Sequence, residues 1–118
     1  MRISITGTRL ELTQAIQAYA KEKSSAFNRL VRSFEKSGEL LLRIEIARST
    51  RHHKKGDAVY YVEFTFALPK KILRIEEYDA DVRVAIDKAQ QRMRSALADY
   101  KDKFIQYARG KENKKNDS

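Results

Sequence analysis

Four stretches of the chain are predicted to be β-strands. Residues 2–6, 40–47 and 60–68 alternate apolar and polar residues, the pattern of a β-strand that buries one face and leaves the other in solvent, and a shorter strand is predicted around residues 72–75. Gly7 interrupts the first stretch, and Pro69 with Lys70 predicts a tight turn between the last two. Because short links join the second, third and fourth strands, we expect these three to pair antiparallel.

Two further stretches repeat apolar residues every three to four positions, the spacing of an amphipathic helix. The first covers about residues 14–34 and follows Thr13, whose hydroxyl is suited to cap a helix N-terminus. The second covers about residues 79–107, with Asp79 or Asp81 as its cap. The order β-α-β-β-β-α predicts an α+β fold, a two-layer sandwich with both helices on one face of a four-stranded sheet.

Length and composition predict one domain without a membrane anchor. The 118 residues suit a single core over residues 1–107, and we expect the pattern-free residues 108–118 to form a disordered basic tail. There is no cysteine, no apolar run long enough to span a bilayer and no secretory signal at the start. We therefore expect a cytoplasmic protein without disulfides.

Charge gives the first indication of a partner. Lys and Arg number 25 against 16 Asp and Glu, a net charge of +9. Such an excess favours an anionic partner, and nucleic acid before a membrane surface. The alternative is a surface whose charge only keeps the protein soluble.

Catalysis finds little support in the residue types. The two histidines, His52 and His53, are adjacent in a loop, where Lys54 and Lys55 would repel a cation. The four glycines are scattered and form no phosphate-binding loop. We therefore expect no catalytic residue, metal, cofactor or small-molecule substrate.

Basic residues do occupy distinctive positions on both helices. Lys23 is predicted to project into the middle of the apolar stripe of the first helix, so either its stem packs while the ammonium reaches an edge, or it is held rigidly toward a phosphate. The last helix carries two basic flanks, Arg83, Arg94 and Lys101 on one side and Lys88, Arg92 and Lys103 on the other. A solvated amphipathic surface is the alternative for these flanks.

Several short motifs occur in the same order as in a known family. They are Ile5-Thr6-Gly7, Lys23, the run 52–57, Leu73-Arg74, Ala85-Ile86-Asp87 and the run 100–103. Over about residues 3–105 the chain resembles the ribosome hibernation-promoting factor and ribosome-associated inhibitor family. Departures include Ala26, Ser95 and Asp99, where relatives are often basic, whereas Arg94 is gained.

The resemblance implies a fold like that of a double-stranded-RNA-binding domain. It also implies binding to the small ribosomal subunit and its RNA, in the channel for messenger RNA and transfer RNAs, as a translation inhibitor during hibernation or stress. Lys23, Arg29, Arg92 and Lys101 match basic family positions. With the basic loop and flanks, the candidate RNA-binding residues are Lys23, Arg29, Lys54, Lys55, Lys88, Arg92, Arg94 and Lys101.

Two other functions stay open from the sequence. One is a stand-alone RNA- or DNA-binding domain with a non-ribosomal target, and the other is a structural or protein-binding module.

A second, dimerising domain is not expected within this length, and the apolar positions already have partners in one core. We therefore expect a monomer whose binding is sensitive to salt.

Overall fold

The computed structural model of the protein describes residues 1–49 and 59–116, and the side chains of all of these except residues 37 and 106–116. The elements are β1 (Arg2–Thr8), α1 (Gln14–Ser24), α2 (Phe27–Val31), a 3₁₀ helix (Arg32–Ser37), β2 (Leu41–Ser49), β3 (Val59–Leu68), β4 (Lys71–Asp79) and α3 (Val82–Asn116). The predicted α+β fold is confirmed, with one four-stranded sheet and helices that pack on one of its faces.

The strands lie in the order β1-β2-β3-β4. The expected antiparallel pairing of β2 with β3 and of β3 with β4 is confirmed, while β1 runs parallel to β2 and faces Ile44 with Ile5. A parallel neighbour requires a crossover, and the helical segment between β1 and β2 supplies it. β4 is longer than the pattern predicts, because its pairing with β3 continues to the Tyr60–Asp79 register.

Gly7 lies inside β1 rather than ending it. A Cβ at this position would come within 2.7 Å of Leu12 Cγ and 3.2 Å of the Leu10 carbonyl oxygen. Glycine is therefore required because the segment that leads to α1 folds back over the strand. The prediction that Gly7 terminates the strand is wrong. The missing side chain lets Leu10 and Leu12 pack closely over the strand, and the chain does not reverse at this residue.

The core lies between the sheet and the helices. Phe27 of α2 packs edge-on against Phe64 and Phe66 of β3, with ring centroids 6.2 and 6.3 Å away. The other large, fully buried apolar side chains are Val31, Leu42, Ile44, Ile46, Val62, Ile86, Met93 and Leu97. Polar and charged residues of the strands alternate with these and form the opposite face of the sheet, which we call the open face.

The first helical stretch is broken, which corrects the prediction of one helix over residues 14–34. Ser24 Oγ donates to the Ala20 carbonyl at 2.7 Å, and Ser25 Oγ donates to the Glu22 carbonyl at 2.6 Å. Such hydroxyl bonds compete with the backbone ladder of a helix. The apolar spacing continues across the break, so the hydrophobic pattern alone could not reveal it.

The N-termini of α1 and α3 have the caps that the sequence predicts. The Thr13 hydroxyl accepts from the Ile16 N–H at 3.1 Å. At α3 the Asp81 carboxylate accepts from the N–H groups of Arg83 and Val84, at 2.8 and 3.4 Å. An accepting side chain at this position satisfies amides that have no partner within the helix.

The far end of α3 departs from the sequence-based expectation. The helix continues to Asn116 instead of ending near residue 107, because the added residues include strong helix formers and no proline. The division into a domain over 1–107 and a tail over 108–118 stays a prediction.

In the described part of the chain, no helix combines the length and apolar character that crossing a bilayer requires.

Candidate functional site

Four polar side chains meet where α1 lies against α3, and we call them the Tyr19 cluster: Tyr19, Lys23, Arg83 and Asp87. The Tyr19 hydroxyl donates to Asp87 Oδ1 at 2.6 Å. Lys23 Nζ lies 3.7 Å from the same oxygen and 5.4 Å from the centroid of the Tyr19 ring. The Arg83 guanidinium lies 5.3 Å from that centroid. The ring thus holds two cations beside one carboxylate.

The cluster fixes its members electrostatically. The hydrogen bond to Asp87, followed by burial, raises the pKa of Tyr19, so the hydroxyl stays protonated and keeps donating. Cations near the face of an aromatic ring are attracted by its quadrupole. With two cations and one anion, the cluster carries one net positive charge at neutral pH.

Lys23 lies at the edge of the apolar stripe rather than in its middle. Its side chain is 41% exposed, so the stem packs and the ammonium reaches solvent. Tyr19 and Asp87 nonetheless hold the ammonium in place. The structure therefore combines the two alternatives for this lysine, while the phosphate contact stays a prediction.

Further along α3, Arg94 and Lys101 project on the same side as Arg83. At about 100° per residue these three positions fall within about 20° of one another. This side faces the first helical stretch, since Tyr19 contacts both Asp87 and Arg83. We call it the helix-side flank of α3, defined by Arg83, Asp87, Arg94 and Lys101.

Among the side chains that the structure describes, the outer cations of this surface have no anionic partner. Arg94 is exposed, Lys101 is half-buried, and Arg29 is exposed on α2. None of the three makes an ion pair with a side chain of residues 1–36, 38–49 or 59–105. Their charge is therefore available to an external anion.

The opposite side of α3 packs along β4, and two of its three cations, Lys88 and Arg92, are paired, whereas Lys103 is exposed and makes no ion pair with the described side chains. On this strand-side flank, defined by Lys88 and Arg92, Lys88 Nζ lies 3.0 Å from Asp79 Oδ1. Arg92 Nη1 donates to Glu77 Oε1 and to the Glu76 carbonyl, both at 2.9 Å. The Asp81 N–H and the Lys88 ammonium lower the pKa of Asp79, and that carboxylate raises the pKa of Lys88.

The structure thus separates the sequence-predicted residues into groups. Lys23, Arg29, Arg94 and Lys101 belong to the surface around α1, α2 and the helix-side flank, whereas Lys88 and Arg92 lie against β4. Lys54 and Lys55 fall outside the described residues. The contact of each of these residues with RNA stays a prediction.

Sequence reasoning missed Tyr19 and Asp87 as members of the site. Tyr19 stands four residues before Lys23, and Asp87 four residues after Arg83, so each pair shares a helix face. The spacing gives these local pairs but not the contact between Tyr19 and Asp87, which joins positions 68 residues apart.

In the described part of the chain, no group of three His, Asp or Glu side chains could hold a metal ion.

The fold and this surface define a small α+β domain with a cationic helical face. Residues 3–105 match the family described as sigma 54 modulation protein / S30EA ribosomal protein. The chain belongs to this family, which confirms the resemblance seen in its motifs.

Individual relatives agree with this assignment. The chain is 26% identical over 101 residues to a ribosome hibernation promotion factor of Deinococcus radiodurans, a match of 86% of this chain and 49% of the relative. The chain thus spans about half the length of this curated relative.

Two solved structures share the fold. The N-terminal domain of Thermus thermophilus Protein Y is 30% identical with a TM-score of 0.64, over 85% of this chain and 99% of that one. A ribosomal subunit interface protein of Coxiella burnetii is 18% identical with a TM-score of 0.63, over 86% of this chain and 98% of that one. At that identity the second match shows the fold alone.

Proposed function

We propose that this protein is a ribosome-binding translation inhibitor, which occupies the messenger RNA and transfer RNA channel of the small subunit during hibernation or stress. It acts in the cytoplasm as a monomer and is not an enzyme. Family membership and the names of the relatives support a ribosomal partner. The observation that carries the proposal is the group of unpaired cations on and beside the helix-side flank of α3.

Unpaired cations suit a phosphate backbone better than paired ones. A folded RNA presents phosphates and shape more readily than base edges, so a rigid basic surface can bind it without reading sequence. Among the described side chains, Arg94, Lys101 and Arg29 have no carboxylate that must be displaced first. Lys23 and Arg83 add charge held in place by Tyr19.

Inhibition then follows from competition. A domain that fills the channel excludes messenger RNA and transfer RNA as long as it stays bound, and no reacting group is needed. Because its contacts are ionic, the logarithm of the affinity should fall linearly with the logarithm of the salt concentration. Affinity for purified small subunits that barely changes between low and moderate salt would contradict this account.

Displacement from purified small subunits tests the channel directly. Subunits are loaded with a fluorescent messenger RNA and transfer RNA, the protein is added, and the release of both labels is followed together with sedimentation of the protein. We expect release at a one-to-one ratio of protein to subunit. Co-sedimentation without release would support ribosome binding and contradict the channel.

A matched pair of charge reversals locates the surface. Arg94→Glu with Lys101→Glu should abolish release, whereas Arg43→Glu with Lys71→Glu should not. Arg43 and Lys71 are also exposed and without ion pairs in the described chain, but they belong to β2 and β4. A protein that stays free of ribosomes yet binds other RNA or DNA would establish the stand-alone nucleic-acid-binding alternative instead.

A further inference from the structure

The open face of the sheet changes character along its strands. One row across the four strands contains three acids beside Thr6: Glu45, Glu63 and Glu76. The next row, toward the β2 end at Ser49, contains Thr8, Ala47, Tyr61 and Tyr78. Two tyrosines thus stand beside two small residues on a face that no described helix covers.

This row forms a concavity of about 300 Å³, at the lower end of the range for ligand sites. Its lining residues are Thr8, Arg9, Ala47, Arg48, Ser49, Tyr61 and Tyr78. Small side chains on β1 and β2 form its floor, and the tyrosines of β3 and β4 form a wall. The shape accommodates a flat group against an aromatic ring.

The two tyrosines are positioned in advance. Their ring centroids lie 5.0 Å apart with the planes tilted by 51°, and Tyr78 keeps 39% of its surface exposed. The Tyr61 hydroxyl donates to Glu63, which fixes that ring, and burial followed by this bond raises the pKa of Tyr61. An aromatic surface that is already ordered loses little entropy when a ligand stacks on it.

Charge around the concavity favours an anionic chain that runs along its Ser49 end. Arg9 and Arg48 line it. In the neighbouring acidic row, Arg74 lies 3.0 Å from Glu63 and 2.9 Å from Glu76 and neutralises one of the row's three negative charges, so the two arginines face the remaining two across the concavity. Arginines beside an exposed aromatic ring are the combination that binds single-stranded nucleic acid.

We propose that the concavity of Thr8, Ala47, Tyr61 and Tyr78 binds unpaired bases of a single-stranded RNA, with Tyr78 as the main stacking surface. This site lies on the opposite side of the sheet from the Tyr19 cluster and does not depend on the function proposed for α3. The molecule would hold structured RNA with its helices and a single strand with its sheet.

The 118-residue chain and a short fluorescein-labelled oligouridine test this, with anisotropy as the readout. Replacing Tyr78 by Ser should weaken binding by roughly five- to hundredfold, the usual range when one stacking aromatic is removed. Tyr78→Phe and Tyr78→Trp should retain it. Ile72→Ser is the matched control, because Ile72 is 67% exposed on the same face of β4 but about 20 Å away along the strand.

Two further measurements separate stacking from other causes. A tyrosine pair across neighbouring strands also stabilises a sheet, so each variant is checked for its circular dichroism and melting temperature. Ala47→Glu leaves both tyrosines in place and should still prevent binding by filling the concavity with a carboxylate. An abasic oligomer with the same phosphates should bind weakly.

Three results would overturn the proposal. They are unchanged oligouridine binding in a folded Tyr78→Ser variant, equal affinity for the abasic oligomer, and loss of oligouridine binding in Arg94→Gln with Lys101→Gln but not in Tyr78→Ser. The last would assign single-stranded RNA to the helices.

Discussion

The helix-side and strand-side flanks of α3 are both basic, but their cations have different neighbours. On the strand-side flank, Lys88 and Arg92 each meet a carboxylate of β4 within 3.0 Å. On the helix-side flank, Arg94 and Lys101 meet none within the described chain, and Arg83 lies on an aromatic ring. On a helical wheel of the sequence the two flanks are equally basic. Whether their cations are paired depends on which element packs beside each flank.

The difference follows from what each flank packs against. β4 supplies Glu77 and Asp79 in its last residues, so cations on that side join the helix to the edge of the sheet. Exposed pairs of this kind stabilise a protein by about 1 kcal/mol or less. Among its described side chains, the first helical stretch supplies Tyr19 and no acid that pairs with these cations, so the cations facing it keep their charge for a partner.

The largest expected effect comes from neutralising one flank at a time. Arg94→Gln with Lys101→Gln should weaken binding to small subunits on the order of tenfold or more and reduce the salt slope by about two, one for each lost phosphate contact. Lys88→Gln with Arg92→Gln should change affinity only a few-fold, because those cations are engaged by β4. Fluorescence titrations at several salt concentrations measure both quantities.

Both double variants remove two charges from the same helix, so each is the control for the other. Equal losses of affinity would show that the ion pairs with β4 open on binding. A larger loss from the strand-side variant would reverse the assignment of the flanks.

A smaller effect is expected when the aromatic support of the helix-side flank is removed. Tyr19→Leu deletes the hydrogen bond to Asp87 and the ring beneath Lys23 and Arg83, so stability should fall by about 1–2 kcal/mol and ribosome affinity a few-fold. Denaturant unfolding and subunit binding measure the two effects. Tyr19→Phe keeps the ring and loses the hydroxyl, so it should lose stability while retaining most of the affinity.

If the Phe variant lost as much affinity as the Leu variant, the hydrogen bond to Asp87 would be what positions the cations. Wild-type stability in Tyr19→Leu would mean that the cluster contributes nothing to the contact between α1 and α3.

The sequence predicts most of this fold because the core repeats with clear periods. Ile44, Ile46, Val62 and Phe64 alternate as half-buried strands should, and these strands pair as expected. The break at Ser24 was not predictable from apolar spacing, since it arises from hydroxyl bonds to the backbone within a continuing stripe. Hydrogen bonds from serine hydroxyls to the backbone therefore decide where the helix ends, and the spacing of apolar residues does not show them.

The candidate site is predictable only in part, for a related reason. Helical spacing places Arg94 and Lys101 together because they lie seven residues apart on one helix. It cannot reveal that Asp79 lies next to Lys88, or that Tyr19 lies next to Asp87, since these contacts depend on how elements pack. The sequence therefore shows where the cations are, but only the packing of the elements shows which of them are paired with a carboxylate.

The smallest expected effect tests the ion pair of the strand-side flank through pH. The folded pKa of Asp79 lies below its ordinary value of 3.8, because the Asp81 N–H and Lys88 favour the carboxylate. The carboxylate therefore adds stability above that ordinary value, and the contribution is lost as pH falls through the folded pKa. Asp79→Asn should cost about 1 kcal/mol or less at neutral pH and progressively less below about pH 4.

Melting temperatures across this pH range measure the difference, with Asp99→Asn as the control, since Asp99 is exposed on α3 and makes no ion pair with the described residues. The Asn side chain can still accept from the Asp81 N–H, but without the charge that strengthens that bond, so the Lys88 variant is needed to separate the two contributions. Lys88→Gln should show a similar loss, and the two substitutions together should cost less than the sum of the single losses. Additive losses would mean that Lys88 and Asp79 do not stabilise each other, and the contrast between the flanks would then lie only in which element each one faces.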